Sequence, residues 1–320
     1  MEFNENQCNR IKNDLETLLQ QDQSSACTAQ ILLKEPMRLH TTFRVGGPAD
    51  LFVTATPQAA AKIRQYCTKN EMPFLLVGRG SNLLVSDRGL CGVVLMLEGD
   101  SESVKVDGQE LSASAGVTMA AISRTAQQHG LTGLEFASGI PGTVGGGVVM
   151  NAGAYGQEIK DVLKKVSVCN KEGSVQDVPA EELALSYRKS IIPDRDWIVL
   201  SAVFSMEKGD PDQIRSTMED LTARRKEKQP LEFPSAGSTF KRPEGHFAGK
   251  LIEDAGLRGF AVGGAMVSEK HCGFVINTGE ATADDICRLI KRVQEKVMES
   301  SGILLEPEVK LLGFDKEKAQ

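Results

Sequence analysis

A short apolar run, Phe74 to Val77, feeds directly into Gly78-Arg79-Gly80-Ser81-Asn82 and then into Leu83-Leu84-Val85. A buried strand ending in this way brings backbone N–H groups, a hydroxyl and an amide to one point. A chain can hold a phosphate or pyrophosphate there without a charged side chain for each oxygen. A second glycine-dense run, Gly139-Ile140-Pro141-Gly142-Thr143-Val144-Gly145-Gly146-Gly147, follows later in the chain. A lone Gly-x-Gly is more often an ordinary tight turn. Two such runs, the first carrying Ser-Asn, point to one large, multi-phosphate ligand gripped from two sides.

The spacing argues against the commonest nucleotide folds. No Gly-x-Gly-x-x-Gly opens a helix, because Leu83-Leu84-Val85 continues as apolar chain, and the P-loop lysine is missing. What remains is a cradle of another kind, built from two α/β units with the ligand between them.

The chain of 320 residues can bury two or three cores. Its net charge of −6 gives no reason to expect a nucleic-acid partner. Seven cysteines without a Cys-x-x-Cys pair and four scattered histidines predict reduced thiols and no metal site. No segment reads as a signal peptide or a membrane span, so a cytoplasmic protein is expected.

Helical periodicity in Ile11, Leu15, Leu18 and Leu19 marks a lead-in over residues 1–36. Residues 37–100 read as a first α/β lobe, with a helix starting at Pro57 and strands at 51–53, 74–77 and 93–97. Residues 101–208 read as a second lobe. It has alternating strands at Val104 and Val106 and at Leu111, Ala113 and Ala115, a helix at 117–129, and strands near 162–169 and 197–206. A helix at 211–227 and the Pro230–Pro234 segment make a connection over 209–234. Residues 235–313 form a third unit, with a helix at 283–299 capped by Thr282 and a returning strand over 303–312. Residues 314–320 read as a charged tail.

Three groups in this chain can do chemistry. Arg188, after Tyr187, can meet a carboxylate with two parallel N–H bonds, although an arginine in this setting is usually a surface ion pair. Ser238 follows Gly237, a pair more often found in turns, and no Gly-x-Ser-x-Gly elbow marks it as a nucleophile. Glu308 sits beside Pro307 and Val309 in an otherwise apolar run. On a strand it would share a face with Glu306, either at an exposed edge or held for a purpose.

Several motifs carry a resemblance that runs in order from about residue 37 to 313. They are Thr41-Thr42-Phe43-Arg44-Val45-Gly46-Gly47-Pro48-Ala49, the two glycine runs, and Met150-Asn151-Ala152-Gly153-Ala154-Tyr155-Gly156. Tyr187-Arg188-x-Ser190, Gly237-Ser238-x-Phe240-Lys241 and Leu305-Glu306-Pro307-Glu308-Val309 complete the set. Together they resemble the UDP-N-acetylenolpyruvoylglucosamine reductase family.

The resemblance implies an α+β protein, with a two-lobed FAD-binding domain of the vanillyl-alcohol-oxidase (PCMH) type and a C-terminal α/β substrate domain. It implies NADPH as hydride donor, a UDP-sugar as the small-molecule substrate, and a product destined for peptidoglycan. It implies cofactor contacts from Thr42, Gly47, Gly78, Arg79, Gly80, Ser81, Asn82 and Leu83, and from Pro141, Gly142, Thr143, Gly145, Gly146, Asn151 and Gly153. The first loop has no histidine to tether the flavin, so FAD is expected to be non-covalent.

On the substrate side the resemblance implies Arg188, Ser238 and Glu308 as catalytic residues, with Tyr187, Lys228, Lys241 and Arg242 around the substrate. Negative charge built up beside the substrate carboxylate needs Arg188 to stabilise it and an acid to end it. The resemblance implies Ser238 as that acid. Glu308, if protonated, can hydrogen-bond the carboxylate. No insertion carrying a substrate-covering tyrosine follows Ser190, as in the family's shorter subclass, and Lys310 stands where arginine is common. Two alternatives stay open on the residues alone: another FAD-dependent oxidase or dehydrogenase on the same cradle, and a catalytically silent nucleotide-binding protein.

Overall fold

The computed structural model describes residues 3–21, 27–99 and 101–315, so residues 316–320 of the expected tail lie outside the described part. Two compact units are present. The first contains Met1–Leu33, Leu51–Gly78 and Gly92–Arg224, and the second Lys34–Asp50, Arg79–Cys91 and Arg225–Gln320.

The first unit opens on the helix Glu5–Gln20, which buries Ile11, Leu15 and Leu19 and is closed at its start by a reciprocal Asn4–Gln7 capping box. The helix Pro57–Lys69 begins at proline with Thr56 as its cap, as the sequence predicts. A four-stranded sheet runs in the order Ala29–Pro36, Pro48–Ala55, Leu90–Leu97, Phe74–Val77. Phe74–Val77 lies parallel to its neighbour, in register from Phe74↔Val93 to Val77↔Met96. A second, antiparallel sheet of five strands takes the order Val175–Pro179, Leu163–Cys169, Ile198–Ser205, Glu110–Ser114, Val104–Asp107. Val166, Ala202, Phe204 and Leu111 are buried from that sheet, and Ile122 and Val148 from two helices, Met119–Gln128 and Val144–Val149.

The second unit has its own core, which includes Phe43, Leu84, Phe240, Ile286, Val293 and Leu305. The helix Ala283–Ser301 behaves as its sequence suggests. The Thr282 hydroxyl accepts from Asp285 N–H at its start, and Gly302 ends it at φ +72°. Asp87, far away in sequence, adds a second cap by accepting from the N–H groups of Ala283 and Asp284 at 3.0 and 3.1 Å. A three-stranded antiparallel sheet, Ala261–Val262, Ala265–Val267 and Val275–Asn277, packs with this helix.

The expected strand over 303–312 forms only at Lys310–Leu312, which runs parallel to Leu83–Val85. Pro307 has no N–H to give a ladder, and its neighbourhood reduces to one isolated bridge, Phe240↔Pro307. The alternation argument for Glu306 and Glu308 therefore lapses. Glu306 is exposed and ion-paired to Lys241, whereas Glu308 is half-buried. None of the seven cysteines is in a disulfide. Burial pushes Cys67 up to about 12 and Cys169 up to about 11, which makes both poor nucleophiles.

Candidate active site

The first glycine loop turns sharply between the strands Phe74–Val77 and Leu83–Val85. Gly80 takes φ +63°, and a Cβ there would stand 2.1 Å from the carbonyl oxygen of His40. Thr42 packs on the loop from the same segment, its N–H donating to Gly80 O at 3.3 Å and its hydroxyl at 3.4 Å. Among the described residues, none of the N–H groups of residues 78–82 donates to an acceptor of the chain. A cluster of unused amides, with no room for a side chain at Gly78 or Gly80, suits a bound pyrophosphate. Gly47 is required for another reason: its Cβ would lie 2.1 Å from Asp87 O. Arg79 is exposed, and Ser81 and Leu83 are half-buried.

The second run is built differently. Residues 144–149 are helical, with the Thr143 hydroxyl accepting from Gly146 N–H at 3.3 Å. The N–H groups of Gly142, Val144, Gly145 and Gly147 donate to Ile140, Val117, Ala115 and Thr143 carbonyls. Gly145 and Gly147 are small because a Cβ would meet Ala115 Cβ and Met119 Sδ, each at 2.9 Å. This run thus offers a cofactor close approach across its exposed Pro141 and Gly146 rather than a row of spare donors. The two runs meet at one atom: Thr143 Oγ1 lies 2.8 Å from a Cβ placed on Gly78 and 3.5 Å from one on Gly146.

Asn151 is fully buried at φ +41°. Its amide donates to Glu158 Oε2 and Ser186 O, and its oxygen accepts from Lys160 N–H. Those bonds give its side chain a scaffolding role. They fix the hairpin in which Gly153–Ala154 pairs with Gln157–Glu158 around Tyr155 and Gly156, both at positive φ. Glu158 was not visible as a site neighbour in the sequence. Its carboxyl is held below the usual range, chiefly by the hydrogen bond from Lys160, with Arg188 adding to the effect.

Arg188 stands on the tight turn closed by the bridge Ser186↔Lys189. Its backbone is left-handed, at φ +55°. The guanidinium lies over the Tyr187 ring at 5.1 Å and donates to Gly153 O at 3.4 Å. Buried Ser190 anchors the turn by donating to Val149 O at 2.7 Å. The guanidinium is thus charged, half-buried and carried on a turn of unfavourable backbone conformation.

In the second unit Ser238 is exposed, after Gly237 at φ +74°. The next residue, Thr239, is fully buried and acts as the junction of the site. Its carbonyl accepts from Glu308 N–H at 2.8 Å, its N–H donates to Gly273 O, and its hydroxyl accepts from Val275 N–H. Lys241 N–H donates to Glu306 O. Ser238 and Glu308 are therefore carried on adjoining antiparallel segments. The importance of Thr239 could have been suspected only from its place between Ser238 and Phe240. Lys241 is half-buried against Glu306. Arg242 is exposed over Phe247 at 3.9 Å, and Lys228 is exposed at the end of the helix Pro211–Lys228. Among the described residues no three His, Cys, Asp or Glu side chains cluster as metal ligands.

Comparison with known proteins adds to this geometry. Residues 229–312 match the family model for the C-terminal domain of UDP-N-acetylenolpyruvoylglucosamine reductase, and residues 48–179 match an FAD binding domain. A UDP-N-acetylenolpyruvoylglucosamine reductase of Lachnoclostridium phytofermentans is 51% identical over 301 residues, covering 92% of this chain and 97% of that protein. One from Agathobacter rectalis is 52% identical over 295 residues, covering 88% and 94%. The crystal structure of the reductase from Thermus caldophilus superposes with a TM-score of 0.76 at 34% identity, over 89% of this chain and 99% of that one.

Proposed function

Since the chain belongs to the UDP-N-acetylenolpyruvoylglucosamine reductase family, we propose a mechanism for it in which Arg188, Ser238 and Glu308 act on the substrate carboxylate and its neighbouring carbon. The enzyme is an FAD-dependent oxidoreductase that uses NADPH to reduce the enolpyruvyl group of UDP-N-acetylglucosamine enolpyruvate. The product, UDP-N-acetylmuramate, serves peptidoglycan synthesis. Its fold is α+β, with an FAD-binding domain of the vanillyl-alcohol-oxidase type and a C-terminal α/β domain. We assign the flavin to residues 37–208 and the substrate to residues 235–313. No helix among the described residues is long and apolar enough to cross a membrane. A cytoplasmic location fits the nucleotide-linked substrate.

FAD, when bound, supplies two-electron chemistry between NADPH and the enolpyruvyl group. The amides of residues 78–82 would hold its pyrophosphate, with Thr42 supporting the loop, and the Gly142–Gly146 run would supply further contacts. Arg188 pairs with the substrate carboxylate through a two-pronged N–H contact and stabilises the negative charge that spreads into it. Ser238 Oγ gives its proton to the carbon next to the carboxylate, and its alkoxide is reprotonated from solvent. Glu308, carried beside Ser238 by the Thr239 junction, orients the carboxylate. Tyr187, Lys228, Lys241 and Arg242 are assigned to the nucleotide portion of the substrate.

The single observation that carries this reading is the pairing of a donor-rich cofactor loop with Ser238 and Glu308 on adjoining segments. The purified protein should be yellow, lose its flavin absorbance under NADPH without oxygen, and regain it on adding the enolpyruvyl substrate. A colourless protein, or a flavin that the substrate does not reoxidise, overturns the reading.

A further inference from the structure

Asn82 belongs to the cofactor loop, yet its side chain does not stay within that loop. Its amide Nδ2 donates to the backbone carbonyl of Glu308 at 3.0 Å, and its own backbone carbonyl accepts from Lys310 N–H at 2.9 Å. The chain on either side reinforces the contact, because Leu83–Val85 pairs in parallel with Lys310–Leu312. The other edge of the Glu308 peptide is held by Thr239, whose carbonyl accepts from Glu308 N–H at 2.8 Å. Both backbone polar groups of Glu308, one on each side of its Cα, are therefore taken, one by the cofactor loop and one by the residue after Ser238. With the backbone held on both sides, the position and direction of the Glu308 Cα–Cβ bond are fixed.

From this we infer that Asn82 is a positioning residue for Glu308, and that the cofactor loop and the substrate carboxylate are linked through this one amide. The inference rests on the functional reading above. It gives Asn82 a role apart from pyrophosphate binding, since one of its two side-chain N–H bonds is committed to Glu308. Whatever fixes the loop thereby fixes Glu308, and the coupling is reciprocal: holding Glu308 in place also steadies the loop.

Asn82→Asp keeps the size of the side chain but turns a donor towards Glu308 O into an acceptor. Its effect is read first in the holoenzyme by hydrogen exchange, which needs no turnover. Exchange in peptide 305–312 should accelerate by about tenfold or more, while the helix Ala283–Ser301 keeps its native rates. The second reading is the rate of flavin reoxidation by the enolpyruvyl substrate at full flavin occupancy. The substitution should slow it by about tenfold in the native background and by less than about twofold in Glu308→Gln, because contacts that act through one another are not additive.

Native exchange in peptide 305–312, or effects that multiply across the two backgrounds, would overturn the inference. The latter outcome would leave Asn82 as a cofactor contact only. Asn82→Ser, whose hydroxyl is too short to reach Glu308 O, carries the same test if the aspartate variant does not fold. A native enzyme whose flavin the substrate cannot reoxidise sinks the functional reading instead, and the exchange measurement still decides the structural link.

Discussion

At the scale of single residues, the group proposed as the acid stands apart from the groups that build the core. Ser238 is exposed and contributes nothing to the core, so Ser238→Ala should fold normally. NADPH should reduce the flavin of that variant at near-native rate, whereas reoxidation by substrate should slow by about a hundredfold, the usual worth of a positioned acid. Stopped-flow measurement of each half-reaction separates the two, and equal slowing of both would make Ser238 structural. Arg188 bears a backbone cost, since a left-handed conformation disfavours an L side chain by about 1 kcal/mol or more. Arg188→Gly should therefore unfold no earlier than the native protein in urea while losing activity. Arg188→Lys, which keeps the charge but not the fork, should lower kcat more than it raises KM. If the lysine variant turns over normally, the carboxylate is held elsewhere. The sequence names Arg188, Ser238 and Glu308 through their motifs, but the left-handed turn under Arg188 and the Thr239 junction depend on residues far along the chain.

At the scale of elements, the two glycine runs look alike in sequence and differ in what their glycines are for. Gly80 leaves space for the backbone of His40 and frees amides for a ligand, whereas Gly145 leaves space for Ala115 so that a short helix can sit against a strand. Gly80→Ala should cost flavin first, and its retention after desalting should drop by about tenfold or more. Gly145→Ala should cost stability first, by about 1–3 kcal/mol in denaturant unfolding. A loss of flavin from Gly145→Ala at native stability would reverse this assignment. His271 governs another element. Burial, with Arg258 adding, holds its pKa below the usual 6.5, and its Nδ1 accepts from Gly273 N–H at 3.0 Å. The unfolded chain therefore takes up a proton as pH falls through 6.5 while the folded chain does not. His271 stabilises the fold fully above that pH and progressively less below it. His271→Gln should flatten the fall in Tm on acidification from about pH 7.5 to about pH 5.5, and an unchanged slope would discount this histidine.

At the scale of the molecule, the cofactor loop depends on chain more than two hundred residues away. Leu311 pairs with Leu84 in the parallel ladder. Lys310→Pro removes the N–H that donates to Asn82 O at the start of that ladder, so flavin retention should fall by about tenfold although no loop residue has changed. Flavin content per folded protein is the measurement, and native content would show that the loop stands without its partner strand. The sequence by itself determined the elements whose signals are local. These include the capped helices Pro57–Lys69 and Ala283–Ser301, the strand Phe74–Val77 and the loop after it, and the ordered motifs that identify the family. Periodicity, caps and turn residues act within a few positions, so they can be read without the rest of the chain. Only the tertiary structure decided that 34–50 and 79–91 pack with 225–320, that the strand expected over 303–312 shrinks to Lys310–Leu312, and that Asn82 reaches Glu308. Those outcomes rest on hydrogen bonds and apolar contacts between distant segments, whose partners are set by which surfaces remain to be buried once the local elements have formed.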